Sequence, residues 1–270
     1  MAFFMPLSVD FGSKSSFMRV LPFFLLFFCS SFLFASEERF THLGKEFRVF
    51  RAQPEHVRLV WKNNHSKPLL SFRAAYRALE REGQKVAMLM NGGIFEPRQI
   101  PSGFYVEKGK IQNPLNLAAG KGNFYLQPNA IFYLKKEGEK LIAGVVESKS
   151  LSRWNREEKA KLWYAVQSGP ALLLDGEKHP AFNRDSKSEL LRNGVGVNEK
   201  GEVIFVIVAN RESDCNLWTF ADCFRALGCE NALFLDGDIS QMVSDPTSLT
   251  KSNRFATMFG VVEGRSNEDS

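Results

Sequence analysis

Apolar residues come along this chain in short runs broken by glycine-bearing turns, a pattern of many strands and few helices. Between Glu46 and Trp61 apolar and basic positions alternate (Phe47, Val49; Val57, Leu59, Trp61), which predicts two strands. From Ser71 to Glu82 the spacing changes: Phe72, Ala75, Tyr76 and Leu79 recur at helical intervals, Ser71 is placed as an N-cap, and Gly83 stops the run. The short run from Lys85 to Met90 reads as a buried strand. Gly103 to Ile111 predicts a hairpin turning at Glu107-Lys108-Gly109, and a second pairs 130–134 with 141–146 around Glu137-Gly138. Ala171 to Leu174 enters an Asp175-Gly176 turn, and 195–197 pairs with the deeply buried run 203–208. Leu217 to Leu227 predicts an amphipathic helix stopped by Gly228, followed by strands at 232–235 and 258–262. No βαβ alternation, repeat or low-complexity linker is present. The fold expected is α+β: a single domain over about residues 40–264, of mixed or antiparallel β-sheet built from hairpins, with a few packed helices and a polar tail at 265–270.

The N-terminus departs from this pattern. Val20 to Phe34 is one apolar run of about 15 residues, preceded by Lys14 and Arg19 and followed by Ala35-Ser36. That is the layout of an export signal, and it falls short of the roughly 20 residues a spanning helix needs. Residues 1–35 are expected to be a signal peptide, which would make the protein periplasmic or secreted. Leu33 is a poor residue two before Ala35, so an uncleaved anchor through residues 20–34 is the alternative. Phe27 and Phe28 before Cys29 argue against lipidation. No second long apolar run follows, so no stable membrane partner is expected beyond that anchor.

Composition narrows the partners only slightly. Hydrophobic residues at 44% and charged residues at 24% are ordinary for a globular chain. The net charge is +5; Lys14 and Arg19 against Asp10 contribute +1 of it before residue 36, leaving +4. There is no dense Lys/Arg run to track a phosphate backbone, so no nucleic-acid partner is expected. Cys215, Cys223 and Cys229 are an odd set without CxxC or a nearby His pair, which excludes a zinc site and leaves one disulfide or three buried thiols as readings.

Candidate chemistry lies where three apolar strands end in polar, glycine-bearing turns: Asn91-Gly92-Gly93, Gln167-Ser168-Gly169-Pro170, and Asp236-Gly237-Asp238-Ile239-Ser240. Each alone is an ordinary turn former; three on buried strands point to a shared cleft. Asp236 ends a buried strand, where a carboxylate's pKa can be tuned. If that segment stays extended, Asp236, Asp238 and Ser240 share one face. The two carboxylates could then share a proton or hold a divalent cation, although two carboxylates and a hydroxyl are few ligands. Arg192, before Asn193-Gly194, suits a bidentate grip on phosphate or is a surface charge. His179 is either a neutral-pH acid or base near these turns or a loop cap. No GxSxG, HExxH, P-loop or dinucleotide fingerprint occurs.

These segments also read together. NGGIF (91–95), PSGFYVEKGK (101–110), PLN (114–116), GNFYLQPNAIF (122–132), QSGPALLLDGEKHPAF (167–182), RNGVGV (192–197) and NALFLDGDIS (231–240) resemble the phosphodiester glycosidase family, and most of all its exported bacterial members. The resemblance spans 85 to 262 in order. It implies release of an N-acetylglucosamine joined through its anomeric oxygen to a phosphodiester, and it puts Asn91, Arg192, Asp236 and Ser240 in the pocket. Asp238 departs from the small residue usual after Asp-Gly, adding negative charge where an anionic substrate would sit. The expected function is therefore an exported hydrolase acting on a glycan or sugar-phosphate at the anomeric carbon. Arg192 and the Ser168-Gly169 backbone would hold phosphate, Asp236 would act as base or stabilise an oxocarbenium-like state, and Asn91 and Ser240 would meet sugar hydroxyls. His179 would be a reserve acid, with Gly92, Gln167, Asn193 and Asp238 completing the binding set. No cofactor is expected; Asp236 and Asp238 are the pair for a divalent cation if one is used. The rival is a non-catalytic carbohydrate- or cell-wall-binding module using the same pocket.

Overall fold

In a strand, successive side chains point to opposite faces, so the places where they end up show what covers each face. In Lys45–Ala52, Phe47 and Val49 join one buried cluster while Phe50 and Ala52 join another. Val203–Val208 does the same with six apolar residues, sending Val203, Phe205 and Ile207 one way and Ile204, Val206 and Val208 the other. Both strands stand inside a seven-stranded sheet that is covered on both faces. Its order is Glu37–His42, Lys45–Ala52, Val203–Val208, Asn193–Asn198, Cys229–Phe234, Ala171–Leu174, Glu177–Lys178. A second sheet has the order Lys140–Glu147, Ala130–Glu137, Leu162–Ser168, Tyr105–Glu107, Lys110–Asn113, and a third the order Met242–Val243, Val86–Asn91, Met258–Val262, Val57–Val60. Every pairing among the described strands is antiparallel.

This computed structural model describes Met1 and residues 37–237, 239–248 and 252–263. The expected signal segment, Asp238 and the polar tail therefore lie outside the described residues. Residues from Glu37 onward belong to one compact unit, an α+β domain. Four α-helices occur among them: α1 (Phe72–Arg81), α2 (Ser148–Leu151), α3 (Arg156–Ala160) and α4 (Leu217–Ala226). None is long and apolar enough to cross a membrane. Phe259 stands where the three sheets meet, its ring 5.2 Å from Phe205 of the first and 5.4 Å from Phe132 of the second. The outer face of the third sheet is covered by α1 through Phe72, Ala75 and Leu79, with Ser71 capping it by accepting from Ala74 N at 3.3 Å.

The other face of the first sheet is covered by α4, which brings Phe220 and Phe224 down on the Asn193–Asn198 strand. A Cβ added at Gly196 would stand 2.8 Å from Phe224 Cδ1 and 2.9 Å from Cys229 Sγ, so only glycine allows so close an approach. The sheet bends round the helix far enough for both its edge strands to reach one side chain. Asp222 accepts from His42 Nε2 of the first edge at 2.8 Å and pairs through Oδ1 with Lys178 of the last edge and with Arg225 at 2.6 Å. Cys223 on α4 and Cys215 and Cys229 on either side of it in sequence are buried free thiols, and burial pushes those of Cys215 and Cys229 up to about 12.

Three features go beyond what the sequence pattern states. Glu37–His42 is a strand although its side chains alternate poorly, because the hairpin turn at Leu43-Gly44 folds it onto Lys45–Ala52. The two strands predicted between Glu46 and Trp61 belong to different sheets, separated by one 3-10 turn at Pro54–His56. The short α3 buries no residue and so leaves no apolar period; it is held instead by a capping box of Asn155 and Glu158.

Candidate functional site

One end of the first sheet gathers the polar turns. Cys229–Phe234 runs antiparallel to both its neighbours, so its C-terminal end lies between the N-terminal ends of Asn193–Asn198 and Ala171–Leu174. Phe234 N donates to Pro170 O at 3.2 Å and Leu235 N to Asn193 O at 3.1 Å. The turns at 167–170, 192–193 and 236–237 are thereby side by side. The third sheet delivers the remaining one. Asn91, last residue of Val86–Asn91, donates from Nδ2 to Asp236 O at 3.0 Å, and Ile94 N donates to Ser168 Oγ at 3.2 Å. All three turns singled out from the sequence converge here.

Behind Asp236 the convergence is a closed set of amide and hydroxyl groups. Asn193 Nδ2 donates to Asn91 O at 3.1 Å and Asn91 Oδ1 at 3.0 Å, and Gln241 N donates to the same Oδ1 at 2.8 Å. Ser240 Oγ donates to Asn193 Oδ1 at 3.1 Å, with Asp236 O a further acceptor at 3.3 Å. Asn193 is 0% exposed and Asn91 1%, so these bonds replace those water would otherwise supply. The Gly92 backbone continues the set, donating to Thr257 O at 2.9 Å; an added Cβ there would stand 2.2 Å from Thr257 Oγ1. That hydroxyl is buried without a hydrogen-bond partner among the described residues. Thr257 was missed from the sequence, where a threonine before a strand carries no signal.

Asp236 is half-buried, and its carbonyl is the acceptor that Asn91 and Ser240 share, so the backbone carrying its carboxylate is fixed from two sides. The extended face expected for Asp236, Asp238 and Ser240 is corrected. The strand ends at Phe234, the chain turns at Gly237, and Ser240 N donates back to Gly237 O at 3.1 Å. Ser240 therefore folds in behind Asp236, while Asp238 lies outside the described residues. Arg192 is buried beside them. Its Nε donates to Cys215 O at 2.7 Å, its Nη2 to Ser188 O at 2.9 Å, and its guanidinium stands 5.6 Å from the Phe234 ring centre. A fixed positive charge is thus held at this end of the sheet.

Gln167 is a strut. Its Oε1 accepts from Phe104 N at 2.8 Å and Asn116 N at 3.1 Å, and its Nε2 donates to Asn116 O at 2.6 Å, tying two loops to the strand end. Gly169 lies close against Asn123, Phe124 and Asn129. Of the two readings of His179, its contacts are those of a loop cap. Its Nδ1 accepts from Ala181 N at 3.1 Å, its ring stacks on Phe182 at 4.9 Å, and its Nε2 is buried without a well-formed hydrogen bond among the described residues. Burial pushes its pKa down, against a smaller opposing pull from the Gln127 backbone. Among the described residues no group of three or more His, Cys, Asp or Glu side chains is arranged to hold a metal ion.

The match to known proteins falls on the same stretch. Residues 84–262 match the phosphodiester glycosidase family, and the chain belongs to that family. It is 34% identical over 191 residues to the uncharacterized protein YigE of Escherichia coli (strain K12), covering 70% of each chain. Its fold is that of the zebrafish N-acetylglucosamine-1-phosphodiester alpha-N-acetylglucosaminidase catalytic domain, solved auto-inhibited by its pro-peptide, with a TM-score of 0.59, 16% identity, and coverage of 85% of this chain and 82% of that one. A hypothetical protein from Synechocystis has the same fold at a TM-score of 0.53 and 14% identity, covering 84% of this chain and 61% of that one. Family membership gives the chain a glycosidase-type, hydrolytic function.

Proposed function

We propose that this protein is an exported hydrolase that cleaves a sugar-1-phosphodiester, of the N-acetylglucosamine-1-phosphodiester type, at the anomeric carbon. The observation that carries this is the convergence of three turns on Asp236, from strands far apart in sequence, inside the family-matched stretch. The zebrafish protein of the same fold is named for such an activity. Export rests on the apolar run at Val20–Phe34.

In the reaction, water attacks the anomeric carbon, the bond from that carbon to the bridging oxygen breaks, and a phosphate monoester leaves with the bonding electrons. Phosphate is already a good leaving group, so little acid assistance is needed. Asp236 takes the proton from water or stabilises the oxocarbenium-like state, and Arg192 supplies positive charge for the departing phosphate. Asn91, Asn193 and Ser240 act through Asp236 by fixing its backbone rather than by meeting sugar hydroxyls.

Turnover of an N-acetylglucosamine-1-phosphodiester in oxygen-18 water tests the bond assignment: label is expected in the sugar, and label found only in phosphate would refute it. Asp236→Asn is expected to lower kcat by about 100-fold or more. Full activity in that variant would remove Asp236 from the mechanism, and tight binding of the diester without any product would favour a binding module.

A further inference from the structure

Beside the site lies a cationic face that the reaction does not use. Trp218, in the first turn of α4, is partly exposed and has Lys178 Nζ 3.6 Å from its ring centre and Arg184 Cζ 5.2 Å away. Lys178 is held from below by Asp222, which also holds Arg225 and His42. One nearly buried carboxylate thus holds two permanent cations, Lys178 and Arg225, while exposed carboxylates at Glu177 and Asp185 stand next to Lys178 and Arg184 in sequence. Lys178 is 13% exposed, so Asp222 takes up its charge; Arg225 remains 56% exposed, and Arg184 is exposed with no carboxylate partner among the described residues.

This face is joined to the site by one short segment. Asn216, the N-cap of α4, donates from Nδ2 to Arg184 O at 2.9 Å and Ser186 O at 3.0 Å. Two residues further on, Ser188 O accepts from Arg192 Nη2, and Cys215 O, beside Asn216, accepts from Arg192 Nε. The segment 184–192 therefore runs from the cationic face to the guanidinium assigned to phosphate, bonded at both ends. A cationic, partly aromatic surface continuing from the phosphate end suits more negative charge on that side of the scissile bond.

We propose that Arg184, Arg225 and Trp218 form an accessory subsite for an anionic chain carried on the phosphate side of the substrate, so that the preferred substrate is a sugar capping a polyanionic phosphodiester rather than a small neutral aglycone. This rests on the glycosidase reading of the site, and the test separates the two.

The full chain and its Arg184→Ala/Arg225→Ala variant are compared on two substrates. One is the methyl phosphodiester of N-acetylglucosamine-1-phosphate, the other the same sugar phosphate bearing an oligo(glycerol phosphate) tail. The variant is expected to lose about tenfold in kcat/KM on the tailed substrate, through KM and with a weaker salt dependence, while the methyl diester is unaffected. The Arg184→Lys/Arg225→Lys variant, which keeps the charge, should retain most of the preference. Equal losses on both substrates, or none on the tailed one, overturn the subsite. Binding of free oligo(glycerol phosphate) by calorimetry at low salt is independent of turnover. Binding that is lost in the alanine variant supports the face even if neither sugar is released, which would sink only the glycosidase reading. A wild-type chain that fails to bind the tail overturns the face and leaves the glycosidase reading standing.

Discussion

Replacing Asn193 with alanine separates a brace from a substrate contact. The side chain is fully buried and makes three hydrogen bonds, two donated to Asn91 and one accepted from Ser240. Asn91 Oδ1 keeps Gln241 N and Ser240 keeps Asp236 O, so the partners are left weakened rather than bare. At about 1 kcal/mol for each net hydrogen bond, the loss comes to about 3 kcal/mol. In a domain of this size that is a fall in Tm of about 6–12 °C. Asn193→Asp sharpens the test: it keeps the shape but turns a donor that faces two Asn91 oxygens into a third acceptor, and should be at least as damaging. Thermal and urea unfolding read the stability, and initial rates on the sugar phosphodiester read the function. Both should fall together. If Asn193→Ala melts within roughly 1 °C of wild type while turnover disappears, the residue contacts substrate and the brace reasoning is wrong.

Other expectations concern charge and space. Asp222 has its pKa lowered in the fold, burial opposing but Lys178 and His42 prevailing, so its stabilisation is present above the ordinary carboxylate pKa and lost as pH falls through its lower folded value. Urea midpoints should therefore drop below about pH 4 in wild type; Asp222→Asn should be less stable at pH 7 by on the order of 3 kcal/mol and lack that acid limb. Glu107 behaves oppositely: burial raises its carboxyl to about 7, against hydrogen bonds from Tyr105 and Trp61. Its contribution is full below about 4.5 and lost as pH rises through about 7, so the Glu107→Gln variant should be flatter across that window, and an unchanged slope would refute it. Gly92→Ala forces a methyl against Thr257 and should cost about 1–3 kcal/mol; Thr257→Ala in the same chain should recover part of this, because the tightest contact is with Oγ1.

Local pattern and long-range placement were not equally legible. Hairpins such as 130–137 with 140–147 follow from alternation and a two-residue turn, information held within the strands themselves. Which sheet a strand joins is not local: Val57–Val60 follows Lys45–Ala52 after four residues, yet its partner is Met258–Val262 near the other end of the chain. The site divides in the same way. Glycine-flanked turns on buried strands mark where function can sit, and all three converge. Whether a polar side chain there faces a ligand or another strand depends on contacts such as Asn91 with Asp236 and Asn193, which are 145 and 102 residues apart. The residue types that make good ligands for a sugar, Asn, Gln and Ser, are also those that can saturate a buried joint between sheets. At this joint Asn91, Gln167, Asn193 and Ser240 saturate each other and the nearby backbone, while Asp236 stays half-buried at their edge. Asn91 and Ser240 thus fix the Asp236 backbone from behind, so the position of its carboxylate depends on side chains that brace the joint. Activity against an anionic diester should therefore fall with substitutions at Asn91 and Asn193 in step with stability.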